Sequence, residues 1–141
     1  MVEQISEATA AFLAEVMPVV VGTRRRDGRV KMNPAWYEFR DGHFWLNSWR
    51  GARWLEHLER DGLASLLLIA PDDMHKVVHA ETELVCSTED GAGAHIDRLS
   101  QRYRGVPYRA PVPQRRVMLQ LRPLSLRSTL DNAARPAWGA R

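Results

Sequence analysis

Two short stretches of the chain combine residue types suited to gripping a ligand. Asn47-Ser48-Trp49-Arg50-Gly51-Ala52-Arg53 sets an amide, a hydroxyl, a glycine and two guanidinium groups where an apolar strand pattern gives way to a helical one. The first turn of a helix carries backbone N–H groups without intrahelical partners and the positive end of the helix dipole, so such a junction attracts anions. Gly51 permits close approach, and Arg50 and Arg53 would add charge-assisted hydrogen bonds to a phosphate. The alternative at the same residues is structural: Ser48 caps the helix, and the arginines pair with Glu56 or Asp61.

The second stretch is Lys31-Met32-Asn33-Pro34-Ala35-Trp36-Tyr37, where Pro34 interrupts a strand pattern. Proline cannot donate to a ladder, so this strand is expected at an edge or bulge. Backbone groups of Met32 and Asn33 would then face a planar heterocycle, with Pro34 and Ala35 along it and Trp36 either walling it or buried as core. A phosphate grip following a strand with exposed backbone is what a flavin-type cofactor requires. Tyr103, Tyr108 and Arg104 are candidates for a substrate pocket, or for packing a helix end. His75 and His79 lie four apart in a strand pattern, a spacing of roughly 13 Å, too far to share a metal. No nucleophile-elbow pattern supports hydrolysis.

The elements that must position these residues are legible from periodicity. Residues 3–16 read as a helix presenting Ile5, Phe12, Leu13 and Val16, stopped by Pro18. Val19-Val20-Val21 reads as a buried strand, Asp27-Gly28 as a hairpin turn, 30–40 as a second strand, Asp41-Gly42 as another turn and 43–47 as a third strand, an antiparallel meander. Residues 50–60 form a helix with Trp54, Leu55 and Leu58 on one face. Strands over 63–69 and 76–85 follow, the latter setting Val78, Ala80, Thr82 and Leu84 opposite Val77, His79, Glu81 and Glu83. Thr88 is the expected N-cap of a helix over 89–103 carrying Ala92, Ile96, Leu99 and Tyr103, ended by Gly105 and Pro107. A Pro-rich loop spans 107–113, and a strand over 115–121 continues or restarts at 124–128. Six or seven antiparallel strands with three helices must curl to hide their edges, which predicts a small barrel of the mainly β, α+β class.

At 141 residues the chain suits one domain, expected over 1–130 with a mobile tail over 131–141. No apolar run approaches the roughly 20 residues of a membrane span, and the first fifteen residues hold three glutamates and no Lys or Arg, so a cytoplasmic protein is expected. Cys86 is the single cysteine, which excludes an intrachain disulfide and a cysteine-built metal site, and no metal is expected. Charge is split: residues 1–97 sum to −6 and residues 98–141 to +9, with eight arginines and no carboxylate between Arg98 and Leu130. This suits an anionic partner such as phosphate, or a basic surface neutralised by acids elsewhere in the fold. Signatures of nucleic-acid binding are missing, and no such partner is expected.

In order, Val-Val-Val-Gly-Thr (19–23), Asp27-Gly28, Asn33-Pro34-Ala35-Trp36-Tyr37, Leu46 to Arg53, Asp97-Arg98-Leu99, Tyr103-Arg104-Gly105, Arg116-Val117-Met118-Leu119 and Arg122-Pro123 resemble the pyridoxamine 5′-phosphate oxidase-like split β-barrel family. The resemblance covers about residues 5–128 and is nearest the branch that uses the deazaflavin coenzyme F-420. It implies an FMN-binding type of split barrel and a homodimer with cofactor at the interface. By the same resemblance, the segment 48–53 would hold the phosphates and the strand 32–36 would run along the ring. It further implies an oxidoreductase passing hydride from F-420 to a small conjugated acceptor, with no catalytic side chain assigned. FMN as cofactor, or a non-catalytic carrier of a flavin or haem, are the alternatives. Trp54 stands where members commonly carry lysine, and His57 where they carry asparagine.

Overall fold

The computed structural model describes residues 5–110 and 114–131. The order is α1 (Glu7–Leu13), β1 (Val19–Arg24), β2 (Val30–Ala35), β3 (Tyr37–Arg40), β4 (His43–Trp49), α2 (Arg53–Asp61), β5 (Leu63–Ala70), β6 (Asp73–Thr88), α3 (Ala92–Arg104) and β7 (Arg116–Ser128), then a 3-10 turn at Thr129–Asp131. All strands join one antiparallel sheet in the order β2-β1-β5-β6-β7-β4-β3.

That order corrects the meander expected from the sequence. The single strand read over 30–40 is two strands at opposite edges of the sheet, β2 pairing with β1 and β3 with β4. Ala35 ends one edge and Tyr37 begins the other, and two residues of chain span only about 7 Å. The edges therefore meet at Trp36, and the sheet must curl into a split barrel. The corner is clamped. Tyr103 accepts a hydrogen bond from the Tyr37 backbone N–H (3.1 Å) and donates to the Met17 carbonyl (2.6 Å), while its ring stacks on Trp36 with centroids 5.2 Å apart. Tyr37 donates to the Leu13 carbonyl, and burial pushes its phenol well above its ordinary range.

Alternation along each strand fills the barrel. Val19 and Val21, Leu66 and Leu68, Val78 and Ala80, Phe44 and Leu46, and Val117, Leu119 and Leu121 are buried, with Phe12 and Leu13 of α1 and Leu55 and Leu58 of α2 packed on them. The face division expected for β6 is present, with Val78, Ala80 and Thr82 buried. β7 runs unbroken through Pro123, joining the two segments read separately. Thr88 does not cap α3: Gly91 holds that position, and the Thr88 hydroxyl accepts from the Asp90 N–H instead. α1 is shorter than expected, capped by Ser6, and Val16 lies beyond its end and is exposed. The expected tail and part of the Pro-rich loop fall outside the described residues. No helix among the described residues is long and apolar enough to cross a membrane.

Part of the basic C-terminal stretch is neutralised by acids from earlier in the chain. Arg98 pairs with Glu38, Arg115 with Glu89 and Arg122 with Glu83, while Arg102 is spent on the carbonyls of Ala14, Glu15 and Tyr37.

Candidate functional site

Where β4 turns into α2, three tryptophans surround a cleft of about 340 Å³: Trp36 from the barrel corner, Trp49 from the end of β4 and Trp54 from the first turn of α2. Pro34, Ala35, Asn47 and Ser48 line it, together with Pro18, Ile96, Leu99, Tyr108 and Arg116. Its size falls within the usual range for small-molecule sites. Of the residues singled out from sequence, Pro34, Ala35, Trp36, Asn47, Ser48 and Trp49 thus converge.

Ser48 lies within β4, buried, and is not the helix cap; Ala52 occupies the cap position without a side-chain bond. Its Oγ has no hydrogen-bond partner among the described residues, and neither does the buried Asn33 Oδ1 on β2. A buried hydroxyl left unpaired costs about 1–3 kcal/mol, so such a group beside a cleft marks a place for a ligand atom. Asn47, by contrast, is fully used: its Nδ2 donates to the Ala92 carbonyl (3.0 Å) and lies 3.1 Å from His95 Nδ1, and its Oδ1 accepts from Arg116 Nε (2.8 Å). His95 Nε2 lies 3.3 Å from Glu38 Oε1. Burial alone would raise the Glu38 carboxyl, but His95, Arg98 and Arg40 hold it down at about 2.

A second, polar cleft opens on the other side of the first turn of α2, lined by Arg25, Arg26, Arg53, His57 and Arg60 with Asp27 and Glu56. Lys31 and Val30 of β2 border a pocket adjoining Arg25, Arg53 and His57. His57 bonds Thr23 (3.1 Å), and burial, then Arg60, keeps its imidazole below its ordinary pKa. Arg53, Arg26 and Lys31 have no carboxylate partner among the described residues, whereas Arg60 is held by Asp61.

Arg50 takes the structural alternative, an ion pair, with partners other than those expected. Its guanidinium bonds Glu59 (2.7 Å) and Glu89 (3.3 Å), acids other than the two the sequence suggested. Gly51 sits at φ +116°, and a Cβ there would lie 2.5 Å from Trp49 Cζ3, so its close approach is to the Trp49 ring. The Met32 side chain is exposed, on an edge strand bonded only to β1 among the described residues. Trp54, where the resemblance implies a lysine, presents an apolar wall, and His57 places an imidazole in the basic cleft. Tyr103 serves the corner clamp rather than the cleft, Arg104 is exposed, and Tyr108 lines the cleft as expected. Arg116 and the pairing of Glu38 with His95 were not singled out: their partners are far apart in sequence, and periodicity does not report contacts between elements.

The family model for pyridoxamine 5′-phosphate oxidase matches residues 5–130. The chain belongs to that family. Among solved structures, the fold of this member is similar to a protein described as an F-420 reductase, with 18% identity, a TM-score of 0.78, and coverage of 87% of this chain and 98% of the other. It is also similar to a conserved hypothetical protein of Mycobacterium tuberculosis, with 23% identity, a TM-score of 0.69, and coverage of 97% and 94%. A third is an FMN-binding protein of Syntrophomonas wolfei subsp. wolfei, with 15% identity, a TM-score of 0.55, and coverage of 86% and 80%. No curated protein matches the sequence. Family and fold together place this chain among the pyridoxamine 5′-phosphate oxidase-like split barrels.

Proposed function

We propose that the protein is an oxidoreductase that binds coenzyme F-420 along β2 and passes its hydride to a small conjugated organic acceptor. The observation that carries this is the course of β2. This edge strand runs from Lys31 in the basic pocket to Pro34 and Ala35 in the tryptophan-lined cleft, roughly 10 Å away at strand rise. One elongated ligand with an apolar ring at one end and an anionic tail at the other matches that layout. The name of the F-420 reductase, the most similar in TM-score of the structures compared above, favours deazaflavin over FMN.

The residues present fit such a group. Arg53, Lys31 and Arg26 would hold the anionic tail, helped by the free N–H groups of the first turn of α2. Ser48 Oγ and Asn33 Oδ1 would gain the hydrogen bonds they lack. When bound, reduced F-420 supplies a hydride equivalent. Trp36, Trp49 and Trp54 exclude water from the ring and shape the acceptor's place, so the chain's own work is orientation and desolvation. Because the outer edge of β2 pairs with no strand among the described residues, a second copy of the chain would complete the site as a homodimer. The test is turnover: purified protein with reduced F-420 should oxidise it in the presence of an unsaturated ketone, quinone or bilin. A parallel assay with reduced FMN should give a lower rate. Binding of F-420 without oxidation by any acceptor would instead leave a carrier.

A further inference from the structure

Among the described arginines that lack a carboxylate partner, Arg116 is the one that lines the tryptophan cleft. Arg50, Arg98, Arg115 and Arg122 each meet a carboxylate, and Arg102 closes on three carbonyls that tie elements together. Arg116 is half-buried and lines the tryptophan cleft, yet its partners are all neutral oxygens: Asn47 Oδ1 on Nε (2.8 Å), and Gln114 Oε1 (2.8 Å) and the Tyr108 hydroxyl (3.2 Å) on Nη1. Its guanidinium also lies over the Tyr108 ring, 5.0 Å from the centroid. Nη2 makes no hydrogen bond among the described residues. A guanidinium has five N–H donors in a fixed fork, so two are left without a partner among the described residues. Burial lowers the Arg116 pKa and no carboxylate offsets it. Asn47 is itself fixed by Ala92 and His95, so the fork is held rigidly rather than left to swing.

A partly desolvated, pre-positioned cation with no carboxylate partner among the described residues, lining a largely apolar, aromatic cleft, is a receptor for an oxyanion on a flat ligand. We propose that Arg116 anchors a carboxylate of the acceptor, so that the substrates are planar conjugated acids. This rests on the redox reading of the same cleft. The anionic tail of the cofactor has its own cluster at Arg53 and Lys31, on the other side of the first turn of α2.

The probe pair is 2-naphthoate and its neutral counterpart 2-naphthamide, titrated by quenching of tryptophan fluorescence. Wild-type protein should bind the carboxylate at least about tenfold more tightly than the amide. Arg116→Gln should abolish that preference with amide affinity retained, and Arg116→Lys should keep part of it, having charge without the fork. A measurement independent of any variant's folding is protection of Arg116 from phenylglyoxal, read by mass spectrometry: naphthoate should protect it and naphthamide should not. Equal binding of the pair by wild type, a preference surviving in Arg116→Gln, or equal modification with both probes would overturn the proposal. Arg116→Gln should lose less affinity for F-420 than for naphthoate. A loss matching that of naphthoate would assign Arg116 to the cofactor's phosphate and also overturn it. If wild type binds no F-420 or FMN yet prefers naphthoate, the cofactor reading fails while the carboxylate site stands.

Discussion

The Trp49 ring occupies the space that a side chain on residue 51 would need: a Cβ on Gly51 would meet Trp49 Cζ3 at 2.5 Å. The backbone of Gly51, at φ +116°, is also one that L side chains rarely adopt. Trp49 and Gly51 are thus one device, a wall of the cleft and the vacancy that seats it.

Gly51→Ala should destabilise the protein by about 1–3 kcal/mol and displace Trp49, because strain and collision act together. Thermal melting with tryptophan emission checks both effects. A neutral change in melting temperature with unaltered emission would mean that the ring and the glycine do not constrain each other.

Ser48→Ala should have opposite effects on stability and on binding. Removing a buried, unpaired hydroxyl should raise the stability of the ligand-free protein by about 1 kcal/mol, and removing a ligand contact should weaken F-420 binding several-fold. Urea denaturation and a binding titration of the same variant measure the two. A destabilised variant would show that Ser48 has a partner within the protein.

Glu38 should make stability fall in acid. Its folded pKa of about 2 lies below the ordinary value of 4.5, so its contribution is fully present above 4.5 and is lost as pH falls toward 2. At about 1.4 kcal/mol per pH unit, the contribution is on the order of 3 kcal/mol. Glu38→Gln should therefore flatten the stability profile between pH 4.5 and 2, and cost a similar amount at pH 7. Urea midpoints across that pH range provide the check.

Much of the barrel could be read before its structure was seen, because Val19, Val21, Leu66, Leu68, Val117, Leu119 and Leu121 alternate inward and Asp41-Gly42 turns the chain. What periodicity missed was the break at Trp36. Both β2 and β3 keep their alternation, and only their partners on opposite edges separate them. Within the site, the cleft-lining residues Pro34 to Trp36 and the buried Asn47 and Ser48 were legible as motif. The fate of Arg50 was not, since Glu89 reaches it from a segment 39 residues away. Arg116 looked like one more member of a basic stretch. Its lack of a carboxylate becomes visible only when its neighbours on β4 and in the loop before β7 are known.

The proposed placement sets one ligand along β2, tail at Lys31 and Arg53, ring at Pro34 to Trp36. Its most direct test is a fluorescence titration of F-420 into wild type, Lys31→Ala/Arg53→Ala and Arg50→Ala. Wild type should bind saturably, one coenzyme per chain. The double variant should lose at least about tenfold, since each charge-assisted contact contributes roughly 1.5–3 kcal/mol, while Arg50→Ala should lose much less because Glu59 and Glu89 already hold that guanidinium. Unchanged affinity in a folded Lys31→Ala/Arg53→Ala protein would contradict the placement of the ligand along β2.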